Sequence, residues 1–203
     1  LFSEAYGPPI FRCTMPRKRF EFLLQNLRFD YKISRKSRRV KDKFAAFRDV
    51  WNTFNSHCSS YYNPSDYLTV DETIFDFRGL CPFKVAVPSK PNKYGLKMVS
   101  ICDAMSSYFI SGVPYVGKKQ NPHFSTECVT SLTESVAGSN RNITCNNQFT
   151  SYELVEELSK KNLTLVGSLR EDNQETPPSM LLAAPTGSSK FMYQDKKIMV
   201  SFN

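Results

Sequence analysis

From residue 14 to about residue 60 the apolar positions recur every three or four residues; beyond residue 66 they change to near alternation. Phe20, Leu23, Leu24 and Leu27 fall at i, i+3, i+4 and i+7, the spacing of one helix face. Thr14 as a cap and Pro16 in the first turn set the start of a predicted helix over 14–29. Asp42 opens a second predicted helix, in which Phe44, Phe47, Trp51 and Phe54 repeat the spacing, flanked by Val50 and Cys58. Such a stripe is read as core packing. Between the two helices, residues 32–43 carry few apolar side chains and read as a polar link on the surface. Residues 61–65 (YYNPS) mark a turn and a boundary.

After Asp66 the texture is that of strands. Residues 68–77 (LTVDETIFDF) are β-branched and aromatic. A short extended piece at 84–87 is broken by Pro88 and Pro91, and 94–102 and 108–116 are two more strands. Pro114 implies an edge position or a bulge in the latter. Residues 125–137 form a helix with Cys128, Leu132 and Val136 on one face, and 141–146 (RNITCN) a compact strand. Ser151 caps a helix whose Leu154, Val155 and Leu158 share a side, with Glu153, Glu156 and Glu157 near its positive end. A buried-type strand at 163–169, a loop at 171–189 and a hairpin pairing 191–193 with 198–202 complete the chain. Three early strands followed by strands alternating with helices predict an α/β layer on a mixed sheet.

Composition adds little to this picture until charge is localised. With 203 residues, 40% of them hydrophobic and 13% aromatic, the chain can bury a core and does not read as disordered. No apolar run reaches the length of a membrane span, and no charged start leads into an apolar stretch, so neither a membrane partner nor a signal peptide is expected. Cys13, Cys58, Cys81, Cys102, Cys128 and Cys145 form no C-x-x-C pair, and His57 and His123 are the only histidines. Zinc spacing is therefore missing, and reduced, partly buried thiols are expected. The glycosylation-type triplets at Asn142 and Asn162 are read as chance. Residues 12–43, however, hold twelve Lys and Arg against three acids, a net +9, whereas the whole chain is +8, so the remainder sums to −1. Such a basic segment attracts polyanions, nucleic acid first, unless it is only a solvated face.

Two places carry candidate chemistry. Asp71-Glu72 interrupts a strongly β-type run, as an exposed edge face or as a metal ligand, since Mg²⁺ favours carboxylate oxygens. The strand at 141–146 ends in Asn146-Asn147 just before a helix, where sites in α/β sheets gather, but its polar groups are amides.

Leu68-Thr69-Val70-Asp71-Glu72, Phe77-Arg78-Gly79, Cys81-Pro82-Phe83-Lys84, residues 90–97 (KPNKYGLK) and Cys102-Asp103 together resemble the transposase domain of the piggyBac family. Residues 15–20 and 26–30 upstream, and Tyr115-Val116-Gly117-Lys118, residues 142–145 and Phe149-Thr150-Ser151 downstream, extend the resemblance over nearly the whole chain. The resemblance implies an α/β fold: an incomplete RNase H-like mixed sheet with flanking helices, preceded by a helical N-terminal segment. It implies a basic helical part over 1–65 for dimerisation or DNA binding, and a partial catalytic domain over 66–203 lacking its C-terminal part. In that family three aspartates bind two metal ions for DNA strand cleavage and transfer. Asp71 matches the first, Asn146 the degenerate second, and the third falls beyond Asn203. Leu80 stands where the family has Arg, and Gln148 where it has an aromatic.

Replacing one carboxylate by an amide removes a charge. At an effective dielectric near 20 and 4 Å that is roughly 4 kcal/mol, on the order of a thousandfold in rate. The expectation is therefore a nuclear, transposon-derived protein that binds DNA and is not an enzyme. No cofactor is expected beyond a vestigial Mg²⁺ or Mn²⁺ site at Asp71. DNA contacts are assigned first to Arg35, Lys36, Arg38, Arg39 and Lys41, then to Lys90, Lys93 and Lys97; Asp103 is read as structural. Homodimerisation stays open. Two alternatives stand beside this reading: an active or formerly active transposase seen as a fragment, and a decayed product without function.

Overall fold

The computed structural model describes residues 1–86, 94–117, 124–170 and 173–203. The chain divides into two compact units, Leu1–Thr53 and Phe54–Asn203. The first is helical: α1 (Pro9–Thr14), α2 (Arg17–Asn26), α3 (Lys32–Lys41) and the start of α4 (Arg48–Ser60). The helix expected over 14–29 is α2, which carries Phe20, Leu23 and Leu24 but starts at Arg17; Thr14 does not cap it and is the last residue of α1. Met15 precedes Pro16, and the proline ring steers it out of helical space to φ −163° and ψ 155°. Pro16 becomes the N-cap of α2 and Leu27 its C-cap.

The supposed link at 32–43 is instead helix α3, which buries no residue. Asp42 does not open α4. It ends α3 and accepts from the Phe44 N–H (2.9 Å) and the Arg48 guanidinium (2.7 and 3.0 Å), tying down the turn between the two helices. Of the stripe expected to pack as core, Phe44 and Trp51 are buried, Phe47 is half-buried and Phe54 is exposed; the Phe44, Phe47 and Trp51 rings are in mutual contact.

The second unit is built on a six-stranded mixed sheet. β1 (Tyr67–Asp76), β2 (Val85–Ala86), β3 (Tyr94–Asp103), β4 (Phe109–Pro114), β5 (Asn142–Cys145) and β6 (Thr164–Gly167) run in the order β2-β3-β1-β5-β6, with β4 also on β3. The β1, β3 and β4 pairings are antiparallel, and β1-β5 and β5-β6 are parallel. Pro114 ends β4, whose pairing with β3 slips at Ile101/Cys102. Gly95 is required where it stands, because a Cβ there would strike the Phe75 carbonyl on the neighbouring strand.

Helices α5 (Phe124–Leu132) and α6 (Tyr152–Lys160) cover one sheet face. Cys128, Val129, Leu132, Leu154 and Leu158 meet Leu68, Val70, Val99, Ile101, Ile143 and Cys145 in one core. Ser151 caps α6 as predicted, its Oγ accepting from the Leu154 N–H at 3.1 Å. β6 is less buried than its sequence suggests. It follows β5 in the strand order, and Thr164 and Val166 point to solvent, whereas Leu163 and Leu165 pack on the core. The expected loop at 171–189 includes one helical turn, α7 (Pro178–Leu181), and the expected hairpin is β7 (Ser189–Gln194) with β8 (Lys197–Phe202). Lys197 anchors the hairpin to α6 through Glu156 and the Tyr152 hydroxyl.

Candidate functional site

Parallel pairing sets Val70 opposite Cys145, so Asp71 and Asn146 follow side by side where β5 ends. Asn146 Nδ2 donates to Asp71 Oδ1 at 2.7 Å, and the same oxygen accepts the Glu72 N–H at 2.7 Å. Asn146 Oδ1 accepts the Gln148 N–H at 2.9 Å. The Asn146 carbonyl takes the Phe149 and Thr150 N–H groups and the Thr150 hydroxyl (3.2, 3.1 and 2.9 Å). Gly167 lets this turn lie against β6, since a Cβ there would run into Thr150 Oγ1.

These bonds decide which end of the amide faces Asp71. Gln148 offers a donor, so the oxygen turns to it and the NH₂ turns to the carboxylate. A divalent ion needs lone pairs at that point. Rotating Asn146 to present its oxygen would break both bonds and set NH₂ against N–H. Glu72 points to the opposite sheet face, as successive strand residues do, and there it ion-pairs with Lys97. Turning the Gln148 side-chain amide so that its nitrogen faces Glu72 lets it donate to both Glu72 oxygens, at 3.0 and 3.2 Å. Burial, helped by the Asp71 charge, pushes the Cys145 thiol up to about 12, so it stays protonated at neutral pH. Among the described residues, no group of three or more His, Cys, Asp and Glu side chains could hold a metal ion, and the amide beside Asp71 does not complete a carboxylate cage.

Asp103 is committed elsewhere. Its buried carboxylate accepts from Ser65 N and Oγ (2.6 and 3.1 Å), Met105 N (2.8 Å), Ser106 N (3.0 Å) and the Tyr62 hydroxyl (3.0 Å). These donors, Ser65 N–H foremost, hold it well below the usual carboxylate range. It ties the β3–β4 turn to the chain entering β1.

The basic residues singled out in the sequence separate into groups. Arg35 and Arg38 both bind Asp30, whose side chain is only 1% exposed. Arg35 Nε lies 3.1 and 2.9 Å from its two oxygens, and Arg38 Nη2 2.7 Å from Oδ2. Arg38 Nη1 also donates to the Ala45 carbonyl at 2.8 Å. The Arg35 contact, first of these, lowers the Asp30 pKa. Lys97 is held by Glu72. Lys36, Arg39 and Lys41 are exposed, and Lys90 and Lys93 lie outside the described residues. Sequence reasoning missed Lys32, also exposed on α3. It missed Gln148 as a partner of Glu72 as well, and no spacing signal could have shown that contact. Leu80 is fully exposed.

The transposase IS4 family model matches residues 1–203. The human PiggyBac transposable element-derived protein 3 is 27% identical over 174 residues, covering 81% of this chain and 28% of that protein. The human chimeric ERCC6-PGBD3 protein is also 27% identical over 174 residues, covering 81% and 16%. The chain thus spans less than a third of either human relative. A solved chain from the cryo-EM structure of the piggyBac transposase synaptic complex with hairpin DNA superposes with a TM-score of 0.88 at 36% identity, covering 99% of this chain and 43% of that one. The mixed sheet with flanking helices is therefore the RNase H-like fold. Among the described residues, no helix is long and apolar enough to cross a membrane.

Proposed function

Because the chain belongs to the transposase IS4 family, of piggyBac type, we propose that it is a transposon-derived DNA-binding protein that does not cut DNA. One observation carries the non-catalytic half: the Asn146 amide, fixed by the Gln148 N–H, presents hydrogen-bond donors to Asp71 where the family's chemistry needs a second anionic ligand. Phosphate contacts need only Lys and Arg, and the +9 segment over 12–43 supplies them independently of that site. The matched piggyBac complex was solved with hairpin DNA, which supports the same class of partner here. On this reading the protein works in the nucleus.

The test uses a transposon-end duplex with Mg²⁺ or Mn²⁺. No nicking is expected; nicking that Asp71→Ala abolishes would overturn the non-catalytic reading. In filter binding the affinity should fall steeply as salt rises. A flat salt response would overturn DNA binding.

A further inference from the structure

Helix α3 buries none of its ten residues, and its two apolar side chains, Ile33 and Val40, are 94% and 87% exposed. Packing does not hold it in place. What holds it is Asp30, buried and gripped by Arg35 and Arg38, with Arg38 also bonded to the Ala45 carbonyl. Arg35 and Arg38 lie three residues apart and share one helix face. At 100° per residue, Lys32, Lys36 and Arg39 form a separate row at i, i+4 and i+7, about 10.5 Å long. All three are exposed, and among the described residues none has an ion pair.

We propose a division of labour within this helix, resting on the DNA-binding reading above. Lys32, Lys36 and Arg39 form the row that faces the phosphate backbone, and Asp30 is the positioning residue that fixes the row by clamping Arg35 and Arg38. A row on a docked helix meets a phosphate track in register. The same cations on a loose segment must first be ordered, which weakens binding. DNA carries one charge per about 1.7 Å of axis, so three cations over this length match a short run of phosphates.

The sign of one substitution separates this from a diffuse positive cloud. Asp30→Asn removes a negative charge from a basic segment, and simple electrostatics then predicts tighter DNA binding. The clamp predicts weaker binding, by about threefold to tenfold. The experiment titrates a mixed-sequence 20-bp duplex against the full chain over a range of salt. Asp30→Asn should lose affinity, and Asp30→Glu, which keeps the carboxylate, should recover most of it. The triple variant Lys32→Ala, Lys36→Ala, Arg39→Ala leaves the clamp intact. It should keep its melting temperature and flatten the log–log salt slope by about 2 to 3, at about 0.9 per phosphate contact. Asp30→Asn binding as tightly as wild type or tighter, or a triple variant with the wild-type slope, overturns the proposal. If Asp30→Asn unfolds the first unit, the triple variant decides alone. A wild-type chain that fails to bind the duplex sinks the DNA-binding reading itself, whereas a wild type that binds while the variants match it sinks only this assignment.

Discussion

At position 146 an acid and an amide differ by one group, and the consequence depends on what that group faces. An aspartate could still accept the Gln148 N–H with one oxygen, but its other oxygen would meet Asp71 Oδ1 where the NH₂ now sits 2.7 Å away. Two like charges at such a distance repel by about 1 kcal/mol or more even at high dielectric. Asn146→Asp should therefore melt a few degrees lower in EDTA, at roughly 2–4 °C per kcal/mol for a chain of this size, and recover on adding Mg²⁺ or Mn²⁺, whereas wild type ignores both. Thermal shift against metal concentration reads this directly; a wild type stabilised by Mn²⁺ through Asp71 would refute the argument. Asp103 supplies a pH signature of the opposite kind. Its folded pKa is depressed by the N–H donors around it, so its contribution is present above the unfolded value near ~3.9 and lost as pH falls towards the folded one. Asp103→Asn should be less stable than wild type at pH 7, and the gap should narrow on acidification in urea melts taken between pH 5 and 3. An unchanged gap would show that the carboxylate's charge does not matter.

Helices that bury an apolar stripe can be read from sequence, and helices held by charge cannot. The strands β1, β3 and β5 and the capped α6 follow from β-branched runs and from Ser151, because their packing is written in their own apolar periodicity. α3 escaped because its partner, Asp30, lies outside the helix and its inward face is arginine. The start of α2 was set too early, at Thr14, although Pro16 disfavours helical space at Met15. At the candidate site, the adjacency of Asp71 and Asn146 came from family resemblance. The orientation of the amide came only from the Gln148 N–H, which is set by the turn and not by any side-chain pattern. The Ser151 cap gives a test at this scale: Ser151→Ala leaves the Leu154 N–H without its acceptor and should cost about 1 kcal/mol, seen as a lower midpoint at unchanged m-value. A neutral result would mean that the buried Leu154 and Leu158 carry α6 without the cap.

The two units rest on different physics. In the second, fifteen described residues from Leu68 to Leu163 form one core, and the burial of apolar surface there is stabilising at about 25 cal/mol per Å². In the first, Phe44, Ala45 and Trp51 are the buried apolar residues among those described, and the ion pairs of Asp30 and Asp42 hold α3 and the turn after it. The arginines of these pairs are partly exposed, so salt weakens the pairs in part even though Asp30 is buried, whereas apolar burial is not screened. Raising sodium chloride should therefore speed amide hydrogen exchange across α3 and the turn after it and leave β1, β3 and β5 protected. Thiols give an independent reading of the same difference. Cys13 is exposed and should react with an alkylating reagent at once, whatever the salt. Cys128 and Cys145 are buried, with their thiols pushed up to about 11 and about 12. They should react only when the second unit opens, at a rate that tracks exchange in β1 and ignores salt. A single cooperative transition with one salt dependence for both sets of probes would contradict this. It would mean that the ion pairs of Asp30 and Asp42 do not set the stability of the first unit.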